Sequence, residues 1–191
     1  MNEKFMTNDE LKQAVPAAFS HKAHPAVSEK YSFVSTKKVI DMFEKHGWYP
    51  VYAKERKSKK ASDVTYNKHL LRFRRKNPLK IHGLEAEILH INSHNRSCRA
   101  RFAMGAFRMI CENGLVIADT KFSDISKIHM HIDEKSFFNV IEEAVKQFGE
   151  VAKTIAEYEK IKLTSDQKRA FANKVIETVW GKGHYQAADL L

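Results

Sequence analysis

The chain has 191 residues, of which 43% are hydrophobic, and it carries 33 Lys and Arg against 23 Asp and Glu. This length favours one domain, alone or with a helical extension, over two independent domains, and the presence of only two cysteines argues against a disulfide framework or a thiolate zinc site. The N-terminus lacks the apolar core of a signal peptide and no apolar stretch is long enough to span a membrane, so we predict a soluble, cytoplasmic protein.

The positive charge is concentrated in one third of the chain. Between Trp48 and Arg108 there are fifteen Lys or Arg and four acids, whereas the other 130 residues carry eighteen basic and nineteen acidic side chains. Solubility needs only dispersed charge, so a surplus confined to one segment is typical of a surface that binds a polyanion such as nucleic acid. The segment is therefore the first place to look for a functional site.

Helix signals occur twice before this segment. One short helix is predicted at residues 8–15. Ser35 or Thr36 offers an N-cap for a second helix, and Gly47 stands where a glycine commonly follows a helix end, so we expect a helix over residues 36–46.

Three antiparallel strands are predicted in the basic segment itself. Residues 48–54 are aromatic and β-branched, while residues 68–76 and 84–92 alternate between apolar and polar side chains. The connection at residues 55–62 is too polar to bury itself and is predicted to be a mobile basic hairpin loop.

The second half of the chain is predicted to be mostly helical. Apolar residues at three- and four-residue offsets predict a helix over residues 99–112, followed by a short strand pair at residues 115–118 and 125–132. A long amphipathic helix is expected from residue 136 to 163, and Thr164 with Gln167 forms a capping-box pattern that begins a last helix.

These elements together predict an α+β fold. We expect a curved antiparallel sheet, built from a three-stranded meander and a short strand pair, packed against helices and followed by two C-terminal helices. The predicted organisation is a flexible N-terminal arm over residues 1–30, a basic α+β core over 31–135, and a helical region over 136–191 that packs on the core.

The basic segment contains three groups of cations that we predict to contact phosphates. They are the mobile loop, the cationic face of the second strand, and the arginines near the start of the predicted helix, where free backbone amides also attract anions. Tyr66 is predicted to stack on bases, since aromatic rings bind unpaired bases without reading sequence. The candidate nucleic-acid-binding residues are Arg56, Lys57, Lys59, Lys60, Tyr66, Arg72, Arg74, Lys76, Arg96, Arg99, Arg101 and Arg108. The alternative interpretation is a solvated face that only keeps the sheet soluble.

Motifs for metal binding and catalysis are weak. His90 and His94, like two other close histidine pairs, match no zinc-finger or HExxH spacing. Glu85 and Glu87 share a strand face and could hold Mg²⁺, but two carboxylates without a third acid more simply pair with arginines on a neighbouring strand. The sequence has no P-loop and no nucleophile-elbow motif. We therefore expect no metal, no cofactor and no enzymatic activity.

Five ordered motifs resemble a known family. They are Tyr31-Ser32-Phe33-Val34-Ser35-Thr36, Gly47-Trp48-Tyr49-Pro50-Val51, His69-Leu70-Leu71-Arg72-Phe73-Arg74, Ile91-Asn92-Ser93-His94-Asn95 and Ile110-Cys111-Glu112-Asn113-Gly114-Leu115-Val116. The family is the phage- and plasmid-borne "phage/plasmid-like protein" domain of unknown function, found mainly in mobile elements and prophages. The resemblance runs from about residue 31 to the end and implies a mobile-element setting. Its members usually continue further, which implies that this C-terminus is a truncation.

A second resemblance concerns the order of elements alone. A helix, three antiparallel strands and an arginine-bearing helix are similar to the core of the single-strand annealing proteins of the Rad recombination-mediator class and their phage counterparts. Those proteins assemble rings or filaments that hold single-stranded DNA in a basic groove. The resemblance implies the same class of ligand, and no residue role is transferred from it.

The sequence thus predicts a non-enzymatic nucleic-acid-binding protein of a phage or mobile element. We expect it to bind single-stranded DNA through a basic groove and to promote strand annealing or recombination as a homo-oligomer, without a membrane partner. Two alternatives stay open. One is an interaction protein that inhibits or modulates a host defence complex, with a host or phage protein as its partner, and the other is a metal-dependent nuclease.

Overall fold

The computed structural model describes residues 4–56, 61–77, 80–81, 84–111, 115–158 and 160–179. The chain forms two compact units, Met1–Ala156 and Glu157–Leu191. None of the helices in these described ranges is long and apolar enough to cross a membrane.

The first unit is organised around an antiparallel sheet. Its strands follow the order β1-β2-β4-β5-β6, so β1 and β6 lie at the two edges, and a two-residue strand β3 pairs with β4 beside this path. The strands are β1 (Trp48–Glu55), β2 (His69–Arg75), β3 (Lys80–Ile81), β4 (Leu84–Asn92), β5 (Ala100–Cys111) and β6 (Leu115–Lys127). Together with the helices described below, this confirms the α+β class and the first three predicted strands.

The prediction of a helix over residues 99–112 is wrong, because residues 100–111 form β5, an interior strand between β4 and β6. Phe102 and Ala106 share one face of the strand with other core residues, and Ala103 and Phe107 lie buried on the opposite face. A strand that is apolar on both faces produces four-residue coincidences that imitate a helix. The predicted anion site at a helix N-terminus is therefore also wrong.

The strand that follows is longer than predicted. Instead of two short strands at 115–118 and 125–132, a single strand β6 of 13 residues pairs with β5 along its length. Register shifts interrupt this pairing at three places, which marks β-bulges or irregularities along the hairpin. Beyond β6, Met130 forms an isolated bridge with Tyr31.

Three α-helices of the described residues belong to the first unit, and the predicted capping signals are present at both ends of the second. They are α1 (Asn8–Ala14), α2 (Thr36–Lys45) and α3 (Glu134–Tyr158), whose last residues pass the unit boundary. The Ser35 hydroxyl accepts from the Lys38 amide at the start of α2, and Gly47 after its end has a φ of 78°, a conformation that favours glycine.

One face of the sheet, which we call the core face, packs against these helices. From the sheet it includes Leu71, Phe73, Ile88, Phe102 and Met104, and from the helices Val39, Ile40, Phe43, Phe137, Ile141, Val145 and Phe148. Trp48 stacks on Phe148 with ring centroids 5.3 Å apart. Burial of this continuous apolar surface provides most of the free energy that stabilises the unit.

The N-terminal segment packs on the core rather than extending away as an arm. Leu11 and Val15, one helical turn apart, lie fully buried in the core cluster. The Met6 amide donates to the Pro50 carbonyl at 2.8 Å, so this segment also covers the edge of β1.

The second unit contains one described helix, α4 (Ser165–Val179). Its predicted capping box is confirmed: the Gln167 side chain accepts from the Thr164 amide at 2.9 Å, and the Thr164 hydroxyl accepts from the Gln167 amide at 3.3 Å.

Candidate nucleic-acid interface

A row of five residues crosses the sheet on the face opposite the core face. Lys54 on β1 lies opposite Leu70 on β2, Leu70 opposite Ile91 on β4, Ile91 opposite Arg101 on β5, and Arg101 opposite Ser126 on β6. Directly paired residues of antiparallel strands point to the same face, so these five side chains form one line across all five strands. We call this face the groove face.

Two adjoining cavities follow this line. Their volumes are about 330 Å³ and about 430 Å³, and both are lined by Lys68 and Ile91. We call these two cavities together the groove. It is lined by Lys54, Glu55, Arg56, Lys68, His69, Leu70, Ile91, Cys98, Arg99, Arg101, Asp124 and Ser126.

The groove has a surplus of positive charge, with five basic and two acidic side chains in its lining. The carboxylate of Glu55 accepts from the Ala17 amide and from the Asn67 side chain, each at 3.0 Å, and burial raises its pKa. Asp124 accepts two hydrogen bonds from Arg101 at 2.8 and 2.6 Å and forms an ion pair with Lys121 at 2.5 Å. Hydrogen bonding by Arg101 is the main reason that the pKa of Asp124 falls to about 2.

Three exposed cations form one rim of the groove, because the antiparallel strands place them at the same end of the sheet. Arg56 directly follows β1, Lys68 directly precedes β2, and Arg99 directly precedes β5. All three side chains are exposed. We call Arg56, Lys68 and Arg99 the cationic rim.

The loop between β4 and β5 fixes one part of this rim. The Ser93 hydroxyl accepts from the Cys98 amide at 3.0 Å, and the Asn95 side chain accepts from the Ser97 amide at 3.1 Å. Arg96 in the same loop is exposed and has a φ of 66°. Cys98 is half-buried, and burial raises the pKa of its thiol. This hydrogen-bonded loop determines where Arg99 enters the groove.

Four histidines are buried in the interior, and one of them, His69, also lines the groove. In three of them Nδ1 lies within hydrogen-bond distance of a backbone carbonyl: His69 with Asn67, His90 with Arg101, and His129 with Ser32. His69 also shares a hydrogen bond with the Thr36 hydroxyl at 2.8 Å. The fourth, His94, packs against His69 with ring centroids 5.3 Å apart.

The environment of these histidines keeps them neutral. Burial lowers the pKa of His69 to about 4, and burial together with the charge of neighbouring histidines lowers the pKa of His90 to about 3 and of His94 to about 2. Among the residues that the structure describes, none hydrogen-bonds to Nε2 of His90 or to Nε2 of His129. Even so, within the described ranges no group of three or more His, Cys, Asp or Glu is arranged to hold a metal ion.

Arg72 and Arg74, which were predicted to contact phosphates, belong instead to an ion network on the groove face. Arg72 Nε and Nη2 donate to the two carboxylate oxygens of Glu87 at 2.7 and 2.5 Å, and Arg74 Nε donates to Glu87 at 2.5 Å. Arg74 also pairs with Glu85. The side chains of Arg72 and Glu87 are 2% and 0% exposed, so this network is part of the interior. The expectation that Glu85 and Glu87 pair with arginines of a neighbouring strand is confirmed.

The remaining predicted residues lie in several places. Arg101 lies in the groove but is paired with Asp124. Lys76 is exposed near the opposite end of β2, with its ammonium 4.5 Å from the centre of the Tyr49 ring, and Tyr66 packs edge-on against His24. Lys57, Lys59 and Lys60 lie outside the described residues. Arg108 lies in β5 opposite Ile117, not on a helix beside Arg101, and its side chain is outside the described part.

Sequence reasoning missed several groove residues: Lys54, Lys68, Leu70, Ile91 and Ser126. Lys54 and Lys68 contribute to the charge of the basic segment, but no local motif distinguishes them from its other cations. Only the register between strands aligns them with Arg99 and Arg101, which are thirty or more residues away along the chain.

Comparison with known proteins identifies a family and similar proteins in Escherichia coli. The family described as "Domain of unknown function (DUF932)" matches residues 23–188. Two proteins of Escherichia coli (strain K12), UPF0380 protein YafZ and UPF0380 protein YfjQ, are each 31% identical to the chain over 125 residues. The match covers 65% of this chain but 45% of each relative, so the chain spans about half the length of these relatives. No solved structure matches.

Proposed function

The chain belongs to the DUF932 family, and we propose that it is a non-enzymatic protein that binds single-stranded DNA in the groove. The observation that carries this proposal is the line of side chains across five strands, in which cations flank an apolar floor of Leu70 and Ile91. Single-strand binders combine a basic groove that follows the phosphates with aromatic side chains on which the bases stack. In this groove the aliphatic side chains of Leu70 and Ile91 would replace the aromatic rings, since they can bury apolar area against the bases.

The electrostatics support a polyanionic ligand. Both groove acids are engaged by hydrogen-bond donors of the protein, whereas the exposed cationic rim faces solvent. A phosphate chain that contacts Arg56, Lys68 and Arg99 would release condensed counterions, so affinity should fall steeply as salt concentration rises.

The proposal extends to strand annealing by an oligomer in a mobile-element setting. The five motifs that resemble phage- and plasmid-borne proteins support the setting. Annealing requires two strands to be brought together, and the groove described here is suited to one, so two or more copies would have to act together. The mass of the protein in solution, with and without a single-stranded oligonucleotide, tests this part separately.

The binding proposal is tested by fluorescence anisotropy with a labelled 30-nucleotide strand, the same strand as a duplex, and an RNA of the same sequence. We expect the single strand to bind more tightly than the duplex. Comparison of the RNA with the DNA single strand measures whether the groove distinguishes ribose from deoxyribose. Equal weak binding of all three at low salt would contradict the proposal.

Two triple variants locate the binding site. R56A/K68A/R99A removes the cationic rim and should weaken single-strand binding by about tenfold or more. K45A/K135A/K146A removes the same charge from exposed positions on α2 and α3, whose helices pack on the core face, and serves as the matched control. Equal losses in the two variants would show that net charge, not the groove, determines binding.

A further inference from the structure

We infer that the groove holds an unpaired strand in one orientation, with its bases on Leu70 and Ile91 and its phosphates on the cationic rim. This inference rests on the proposed function and adds to it which part of the ligand each part of the groove contacts. It implies that the groove binds single strands whose bases are unpaired, and not every polyanion.

The floor of the groove is suited to bases and not to phosphates. Leu70 and Ile91 lie directly opposite each other at its centre, and both are partly exposed. Leu70 also packs against a second apolar cluster on the same face, formed by Leu89, Ala103 and Phe107. A phosphate placed over this surface would lose hydration without gaining a hydrogen-bond donor, whereas the face of a base would bury apolar area.

The two sides of the floor differ in their available charge. On the side where β1 ends and β2 and β5 begin, the three rim cations are exposed. The other side carries the next cross-strand pairs, in which Arg72 is already bound by Glu87 and Asp124 by Arg101. The phosphates of a bound nucleic-acid strand are therefore favoured on the rim side. This asymmetry places the sugar-phosphate edge of that strand along the cationic rim and its bases over the floor.

This orientation explains why a duplex would bind poorly. In a duplex the bases are stacked on one another and paired, and the phosphates lie outermost, so the apolar floor has nothing to contact. A single strand can turn its bases toward Leu70 and Ile91 without the free-energy cost of breaking base pairs. The inference thus links single-strand preference to two aliphatic side chains.

The experiment compares a 15-nucleotide single strand with an abasic strand of the same length and the same number of phosphates, using the full chain. Because the bases of a normal strand would bury apolar area on Leu70 and Ile91, we expect the abasic strand to bind about tenfold or more weakly. The variant L70T/I91T, which keeps strand-compatible side chains, should lower affinity for the normal strand and leave affinity for the abasic strand unchanged. R56A/K68A/R99A should weaken binding of both strands by a similar factor.

The outcomes separate this inference from the function on which it rests. If the wild-type chain binds the normal and abasic strands equally, the inference is wrong while the proposed function stands. If it binds neither strand at low salt, the proposed function itself fails. The wild-type comparison decides the question even if a variant does not fold, and circular dichroism identifies that case.

Discussion

Two groups of cations on the groove face differ in their exposure to solvent, although both come from the same basic segment. Arg72 and Arg74 are bound to Glu85 and Glu87 in a network whose centre is inaccessible to solvent. Lys68 immediately precedes β2 and lies only four residues before Arg72, yet it is exposed on the cationic rim. Local charge density in the sequence therefore identifies the basic segment, whereas pairing and burial determine which of its Lys and Arg side chains are available to a ligand.

The largest predicted effect is a loss of stability at acidic pH, and its cause is the group of buried histidines. Their pKa values are lowered in the folded chain, so the unfolded state binds more protons and stability is lost as pH falls below about 6.5. By pH 5 each histidine that stays neutral in the folded state should cost about 2 kcal/mol, or about 6 kcal/mol for three of them. Urea denaturation at pH 7.5, 6 and 5 measures this loss.

A variant identifies the histidines as the cause of that acid sensitivity. H94L removes one buried titrating group, so its free energy of unfolding should fall less between pH 7.5 and 5 by about 2 kcal/mol. H21L, at an exposed position, is the matched control. Parallel pH curves for wild type and H94L would show that another group is responsible.

The second prediction breaks the ion network. E87A leaves Arg72 buried without its carboxylate, and removal of one partner from a buried ion pair costs about 3–5 kcal/mol of unfolding free energy. Urea denaturation at pH 7.5 measures the change. A loss below about 1 kcal/mol, the range of exposed ion pairs, would mean that the network is not buried as described.

The smallest predicted effect on stability belongs to the groove. R56A/K68A/R99A changes only exposed side chains, so its unfolding free energy should remain within about 1 kcal/mol of the wild-type value. Circular dichroism during denaturation provides the measurement. A large loss of unfolding free energy would show that these cations stabilise the fold, as Arg72 does. The distinction between the two groups of cations would then be wrong.

Much of the fold is predictable from sequence because its signals are local. Capping residues such as Ser35 and Thr164 determine helix starts, and alternation determines β2 and β4. The strand β5 is not predictable in this way, since its two apolar faces imitate helical spacing and only its place between β4 and β6 explains them.

The candidate site is predictable only in part, for a related reason. The charge of the basic segment identified Arg56, Arg99 and Arg101, although Arg99 and Arg101 were assigned to a helix where the structure has β5. The burial of Arg72 depends on Glu87, fifteen residues away, and the alignment of Lys68 with Arg99 depends on the register of three strands. The sequence predicted that Glu85 and Glu87 pair with arginines, but it did not reveal that this pairing removes Arg72 and Arg74 from the candidate site.

The most direct test of the central claim is the salt dependence of single-strand binding. For the wild-type chain we expect the logarithm of the association constant to fall linearly with the logarithm of salt concentration. In R56A/K68A/R99A the slope should become shallower by about 2, since each phosphate contact to a single strand contributes about 0.7. The control K45A/K135A/K146A should keep the wild-type slope. A slope that is the same in all three proteins would contradict the assignment of the groove as the nucleic-acid interface.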